Sequence, residues 1–225
     1  MKLCIDSADV TKIRELCNTY TIDGVSTNPS ILGKSGQKPY EVLKEIRDII
    51  GSEKELFVQV VSKDPLVMVQ EGKRIVKELG SNTIVKVPCF LQGYEAMKTL
   101  VSEGIRVLGT AVYSPIAAFL SAKNGASYVA PYINRIDNLG YNGVKVVQDI
   151  QDIIDNNGFN CTILAASFKN TQQVLEVVKY GGGAVTLSPE VFENFVKNSS
   201  VDNAIDIFTK DFELLTGKGY NMATV

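Results

Sequence analysis

The sequence predicts an α/β protein: a closed (β/α)₈ barrel with an additional C-terminal helix. Three observations predict it. Short apolar, β-branched runs alternate with longer segments of helical period, in eight successive units. Most of the short runs are apolar throughout, as expected of parallel strands covered on both faces. No Pro/Gly/Ser-rich linker divides the units, so the alternation implies one parallel sheet and a single domain spanning 1–225, with about 201–225 forming a helical arm and tail. An open doubly wound sheet is the runner-up. Its dinucleotide-binding form is disfavoured because no GxGxxG follows the first strand, and there is no P-loop.

In order, the strands are expected at 2–5, 24–26, 55–61, 83–88, 106–112, 127–132, 161–167 and 184–188. Helices fill the gaps near 9–18, 39–50, 64–79, 92–103, 114–123, 141–157, 170–180 and 189–197. Their starts carry an acceptable cap or a proline at Asp9, Asp64-Pro65, Ser114-Pro115 and Ser188-Pro189. Their ends fall on Gly80, Gly104, Gly125, Gly158 and Gly181. A ninth helix, about 201–216, places Val201, Ala204, Ile205, Phe208 and Phe212 on one side, a pattern more often packed on its own barrel than on a partner. The triple glycine 181–183 precedes its strand and reads as a helix stop and turn, not a phosphate loop.

Composition narrows the chemistry. The 225 residues are 45% apolar, ample for a packed core, and contain no histidine. That excludes a Ser-His-Asp triad, a Cys-His pair, an HExxH zinc helix and imidazole acid/base catalysis. Catalysis near neutrality then needs another group with a shifted pKa. The net charge is −2 and no basic run exceeds Lys73-Arg74, which argues against a nucleic-acid surface. No apolar stretch reaches the roughly 20 residues that span a bilayer, and the strand-like start is not that of a signal peptide. Cys4, Cys17, Cys89 and Cys161 form no CxxC pair and read as free thiols in a reducing cytoplasm.

In a barrel the chemistry lies at the carboxyl ends of the strands. Read in order, those ends carry Asp6, Thr27-Asn28, Gln59, Lys86, Thr110, Tyr132, Ser167 and Ser188. Turn chemistry alone accounts for some of them, because loops favour Asn, Asp and Ser. Lys86 is different. It sits between Val85 and Val87 in "TIVKVP", where an ammonium must be desolvated. A lysine that snorkels or pairs with a buried acid is one reading. The other is an amine whose pKa burial depresses until it is a neutral nucleophile able to form a Schiff base with a ketone or aldehyde. Such chemistry needs a proton relay, for which Tyr132, Gln59, Thr110 and Asp6 on neighbouring strands are the candidates. A phosphorylated sugar would need a cation and donors at its far end, and Arg135, Lys169 and Ser167 supply them.

At these residues the sequence resembles the small transaldolase family and its fructose-6-phosphate aldolase branch. The matching stretches include "CIDSADV" (4–10), "GVSTNPSIL" (24–32), "LFVQVV" (56–61), "IVKVP" (84–88), "GIRVLGTAVYS" (104–114), "GASYVAPYINRID" (125–137) and "LAASFKNTQQV" (164–174), which span nearly the whole chain. The resemblance implies a class I aldolase that needs no metal or organic cofactor and acts on a sugar phosphate. It implies Lys86 as the Schiff-base lysine. Asp6 and Asn28, beside Ser26 and Thr27, would hold the hydroxyls of a dihydroxyacetone unit. Thr110 would hold a water, and Arg135 and Ser167, with Lys169 beside them, would hold phosphate. It also implies a ring-based homo-oligomer, such as a decamer, in which the C-terminal helix meets the neighbouring subunit.

Two positions separate the branches. Transaldolases of the family carry glutamate on the third strand and phenylalanine on the sixth. The aldolases carry glutamine and tyrosine, as here with Gln59 and Tyr132. The expected reaction is therefore cleavage of fructose 6-phosphate to dihydroxyacetone and glyceraldehyde 3-phosphate. The alternatives are transfer of the dihydroxyacetone unit to an aldose phosphate acceptor, as in the pentose phosphate pathway, and a non-catalytic sugar-phosphate-binding barrel. Cys89-Phe90 departs from the family's small or aliphatic residue followed by threonine, and Ser26 replaces a more usual threonine. These departures bear on substrate range more than on mechanism.

Overall fold

The computed structural model describes all 225 residues. Eight strands follow one another in the order β1 (Lys2–Asp6), β2 (Gly24–Ser26), β3 (Glu55–Gln59), β4 (Thr83–Pro88), β5 (Val107–Val112), β6 (Tyr128–Pro131), β7 (Thr162–Ala165) and β8 (Ala184–Leu187). Each pairs in parallel with the next, and β8 pairs with β1, so the sheet closes as a barrel. The helices are α1 (Val10–Thr19), α2 (Pro29–Lys34), α3 (Pro39–Ile50), α4 (Pro65–Leu79), α5 (Leu91–Ser102), α6 (Pro115–Lys123), α7 (Ile133–Asp137), α8 (Gly143–Asn157), α9 (Thr171–Tyr180), α10 (Pro189–Val196) and α11 (Ser199–Thr216). The chain divides into two compact units, Met1–Phe192 and Glu193–Val225.

The strands read as continuously apolar because each serves two cores. Val25, Val58, Val85, Val87 and Val107 belong to the larger cluster shared with the helices. Alternation along the pleat sends Cys4, Phe57, Ile84, Leu108 and Leu164 into a second cluster that fills the barrel. There the Phe57 and Tyr128 rings meet edge to face at 5.2 Å, an arrangement that adds about 1 kcal/mol beyond area burial.

The N-terminal ends of the strands are closed by a charged network that the sequence reading did not find. The buried Glu55 carboxylate accepts hydrogen bonds from Lys2 Nζ and the Tyr128 hydroxyl, both at 2.8 Å, and pairs with Arg106. Burial pushes its carboxyl up. The bonds from Lys2, Arg106 and Tyr128 outweigh that and hold it below the ordinary range.

Punctuation follows the expected chemistry with corrections. Asp9 caps α1 and Asp64 caps α4, each through its side chain, whereas Ser114 makes no side-chain cap bond. Gly181 ends α9 in the left-handed region, and at Gly183, φ 65°, a Cβ would collide with the Ile163 carbonyl. The 181–183 run is thus a stop and a close approach. Strands β3, β6, β7 and β8 end earlier than expected, at Gln59, Pro131, Ala165 and Leu187. Two short helices, α2 and α7, occupy stretches expected to be loop. In α11 no residue is buried, and Val201, Ile205 and Phe208 are exposed.

Candidate active site

Two residues beyond the barrel-filling layer, the same inward face comes to the C-terminal mouth. Continuing from Cys4, Phe57, Ile84 and Leu108 gives Asp6, Gln59, Lys86 and Thr110. Ser26 stands beside Asp6 in register, and Gln59 beside Lys86. From Ala130 and Leu164 the same step reaches Tyr132 and Ala166, which form a bridge of their own beyond the strands. From Ala184 it reaches Thr186. The mouth of the seventh strand is therefore lined by Ala166 rather than Ser167, whereas on the eighth Thr186 lies level with Cys4, and Ser188 follows two residues on.

Lys86 is buried, with 4% of its surface exposed. Its Nζ donates to Ser26 Oγ at 2.8 Å and to the Thr27 carbonyl at 2.7 Å. Burial lowers its pKa from 10.5 to about 8, against the opposing pull of the Asp6 charge. A usable fraction of neutral amine therefore exists near neutrality. Burial in turn raises Asp6, while Lys86, a hydrogen bond from Ser26 and Arg135 draw it back. Ser26 thus joins the amine to the carboxylate.

On the facing strands the Tyr132 hydroxyl and Thr110 Oγ1 share a hydrogen bond of 2.8 Å. Burial raises the Tyr132 phenol, partly offset by Thr110 and Arg135. The Arg135 guanidinium lies over the Tyr132 ring, 4.7 Å from its centroid, and donates to the Tyr113 hydroxyl at 3.4 Å. Tyr113 meets Tyr132 edge-on at 5.8 Å. Tyr113 is a neighbour of the site that sequence reasoning missed. Its only signal was its place just after the fifth strand.

The remaining candidates lie around this centre. Thr27 turns its hydroxyl onto the Phe57 carbonyl at 3.1 Å, so it offers the site only its own carbonyl. The Asn28 Oδ1 caps α2 through Ile31 N at 3.0 Å, which leaves its amide donors uncommitted. Ser167 lies past the end of β7 in the left-handed region, φ 64°, and its carbonyl accepts from Asn134 N at 3.0 Å. That bond brings the Arg135 and Ser167 loops side by side. Lys169 is exposed beyond them. A non-glycine residue at positive φ stores on the order of 1 kcal/mol, and Ala111 beside Thr110, at the register shift between β5 and β6, is a second example.

A cavity of about 410 Å³ opens at the mouth over β3 and β4, lined by Gln59, Pro29, Val61, Pro88 and Phe90. Phe90, one of the departures from the family pattern, borders this entrance. Thr186, overlooked in the sequence, is buried with a hydroxyl that has no hydrogen-bond partner. No three Cys, Asp or Glu side chains converge in a metal-binding group. All four cysteines are free.

A parallel (β/α)₈ barrel with a desolvated lysine, a carboxyl group, two carboxamides and a tyrosine at its C-terminal mouth has the plan of a barrel enzyme. Residues 3–225 match the family model described as Transaldolase/Fructose-6-phosphate aldolase, and the chain belongs to that family of class I aldolases and transaldolases. Among solved structures it is similar to three of flavocytochrome b2: a single-residue variant, and a double variant with sulfite or with pyruvate bound. TM-scores are 0.60, 0.61 and 0.61, each at 11% identity and over 84% of this chain. The chain spans 56% of the length of those structures. At that identity the likeness shows the barrel fold alone.

Proposed function

We propose that the protein is a Schiff-base aldolase that cleaves fructose 6-phosphate to dihydroxyacetone and glyceraldehyde 3-phosphate. The observation that carries this is Lys86, buried at the barrel mouth with its pKa drawn down to about 8. The neutral amine adds to the C2 carbonyl, and loss of water leaves an iminium. The C3–C4 bond then breaks. Its electron pair passes into the iminium to give an enamine, while the C4 hydroxyl gives up its proton and leaves as the aldehyde. Protonation of the enamine carbon and hydrolysis return Lys86 and release dihydroxyacetone.

In this reading the Tyr132 phenol, bonded to Thr110, serves the proton transfers. Gln59, level with Lys86, holds the water with Thr110. Asp6 and Asn28 bind the donor hydroxyls, and Arg135, Ser167 and Lys169 the phosphate. Gln59 and Tyr132 in place of a carboxylate and an unreactive ring favour release of free dihydroxyacetone over its transfer. The exposed apolar side of α11 supports a ring-based homo-oligomer, with the chain otherwise working as one barrel domain. Free thiols fit the cytoplasm, and no helix is long and apolar enough to cross a membrane.

The test is incubation with fructose 6-phosphate alone. Steady release of glyceraldehyde 3-phosphate is expected, with kcat falling about 10²–10³-fold in Tyr132→Phe. Release only after an aldose phosphate is added would make the protein a transaldolase.

A further inference from the structure

The two loops read above as the phosphate end are tied together by one side chain outside them, Gln173 on α9. Its Oε1 accepts from Lys169 N at 2.9 Å, in the loop after β7. Its Nε2 donates to Asp137 Oδ2 at 2.7 Å. Asp137 ends α7, two residues beyond Arg135, and its other oxygen accepts from Gly143 N at 2.7 Å. The carboxamide is thereby fixed in one orientation, because the flipped form would set donor against donor at Lys169 and acceptor against carboxylate at Asp137. Closer to the strands the loops are stitched by Ile133 N to Ala166 O and Asn134 N to Ser167 O, both at 3.0 Å. Those bonds fix the base of the pair. At the outer end Gln173 spans them.

Part of this arrangement is a helix cap. Asn170 Oδ1 accepts from Gln173 N at 2.9 Å, and Gln173 at the third helical position reaches back toward the preceding chain. A cap uses only Oε1, however, and the bond from Nε2 to Asp137 lies outside it. We propose that Gln173 is a positioning residue: through its paired bonds to Asp137 and Lys169 it sets the spacing of the Arg135 and Ser167 loops, and so selects phosphorylated over unphosphorylated substrates. This rests on the reading of those loops as the phosphate end.

Gln173→Glu separates the two roles. A glutamate caps the helix as well as a glutamine but cannot donate to Asp137, and it places a second carboxylate there. The variant is expected to raise KM for fructose 6-phosphate about 5–30-fold with kcat within about threefold. The dihydroxyacetone concentration needed for half-maximal borohydride trapping should stay unchanged. Adding Asp137→Asn restores a donor–acceptor pair of reversed polarity while still accepting from Gly143 N, and should return KM to within about threefold of wild type. Affinity for inorganic phosphate, measured calorimetrically on the same three proteins, should follow the same order without depending on turnover. An unchanged KM in Gln173→Glu, a parallel rise for both substrates, or no recovery in the double variant would overturn the strut. Arg135→Ala is the control for the underlying reading. If it leaves KM for fructose 6-phosphate and phosphate affinity untouched, the phosphate end is misplaced. If it raises KM while Gln173→Glu does not, only the strut fails.

Discussion

Lys86 was legible in the sequence because a charge inside an apolar β-run has few cheap explanations. The absence of histidine in the chain made it the leading candidate for chemistry near neutrality. Its neighbours were less so. Ser26 and Thr27 stand next to each other, and only the pleat decides that one gives its hydroxyl to the lysine and the other only its carbonyl. Thr186 reads as an ordinary β-former, and Tyr113 as one of nine tyrosines, until the fold places them. Asp6 lifts the pKa of Lys86 while burial, the larger effect, lowers it. Removing the charge must therefore lower it further. In Asp6→Asn the pH profile of Schiff-base formation with dihydroxyacetone should shift to a midpoint below about 8. A midpoint that stays put or rises would show that the two groups do not sense each other.

At the scale of elements, the sequence pattern located the eight strands and the long helices, because periodicity needs length to show itself. It missed α2 and α7, of six and five residues, too short to carry a helical period. Each follows a strand after one or two residues, Thr27-Asn28 before α2 and Tyr132 before α7, and both carry candidate site residues, with Asn28 capping one and Arg135 inside the other. Asn28 caps α2, and in the proposed reading it also binds the donor hydroxyls; substitution can part the two. Asn28→Ala removes the cap and should cost about 1 kcal/mol in denaturant unfolding. Asn28→Asp keeps the cap, so stability should stay within a few tenths of a kcal/mol. It loses the amide donors, and kcat/KM for fructose 6-phosphate should fall at least about tenfold. Full activity in Asn28→Asp would reduce the residue to a cap.

At the scale of the molecule, the proposed reading puts stability at one end of the barrel and chemistry at the other. The alternation predicted the barrel, and the barrel rule predicted which strand ends to search. The pattern did not reveal the Glu55 network at the other end, since Lys2, Glu55, Arg106 and Tyr128 are far apart in sequence and meet only on closure. Glu55→Gln should cost about 1–3 kcal/mol at pH 7, because the partners Lys2 and Arg106 are part-exposed and can turn to water. Its carboxyl is held low in the folded state, so this contribution is present above the ordinary glutamate pKa and fades as pH falls through the lowered value. The kcat should stay within about twofold, since the change lies on the stability face. A large loss of kcat at unchanged unfolding midpoint would contradict that division. The opposite sign is expected at the mouth. Below about pH 8 a folded chain bears the full cost of a desolvated Lys86 ammonium, and the cost disappears as pH rises toward 10.5. Lys86→Met should therefore be more stable than wild type at pH 7, by on the order of 1–3 kcal/mol, less whatever Ser26 and Thr27 lose as partners. That well-folded variant serves the most direct test of the central claim: borohydride reduction in the presence of dihydroxyacetone, read by intact mass. Wild type should gain one reduced dihydroxyacetone adduct, located on Lys86 by peptide mapping, and Lys86→Met should gain none. An equal adduct on Lys86→Met, or none on wild type, would contradict the account.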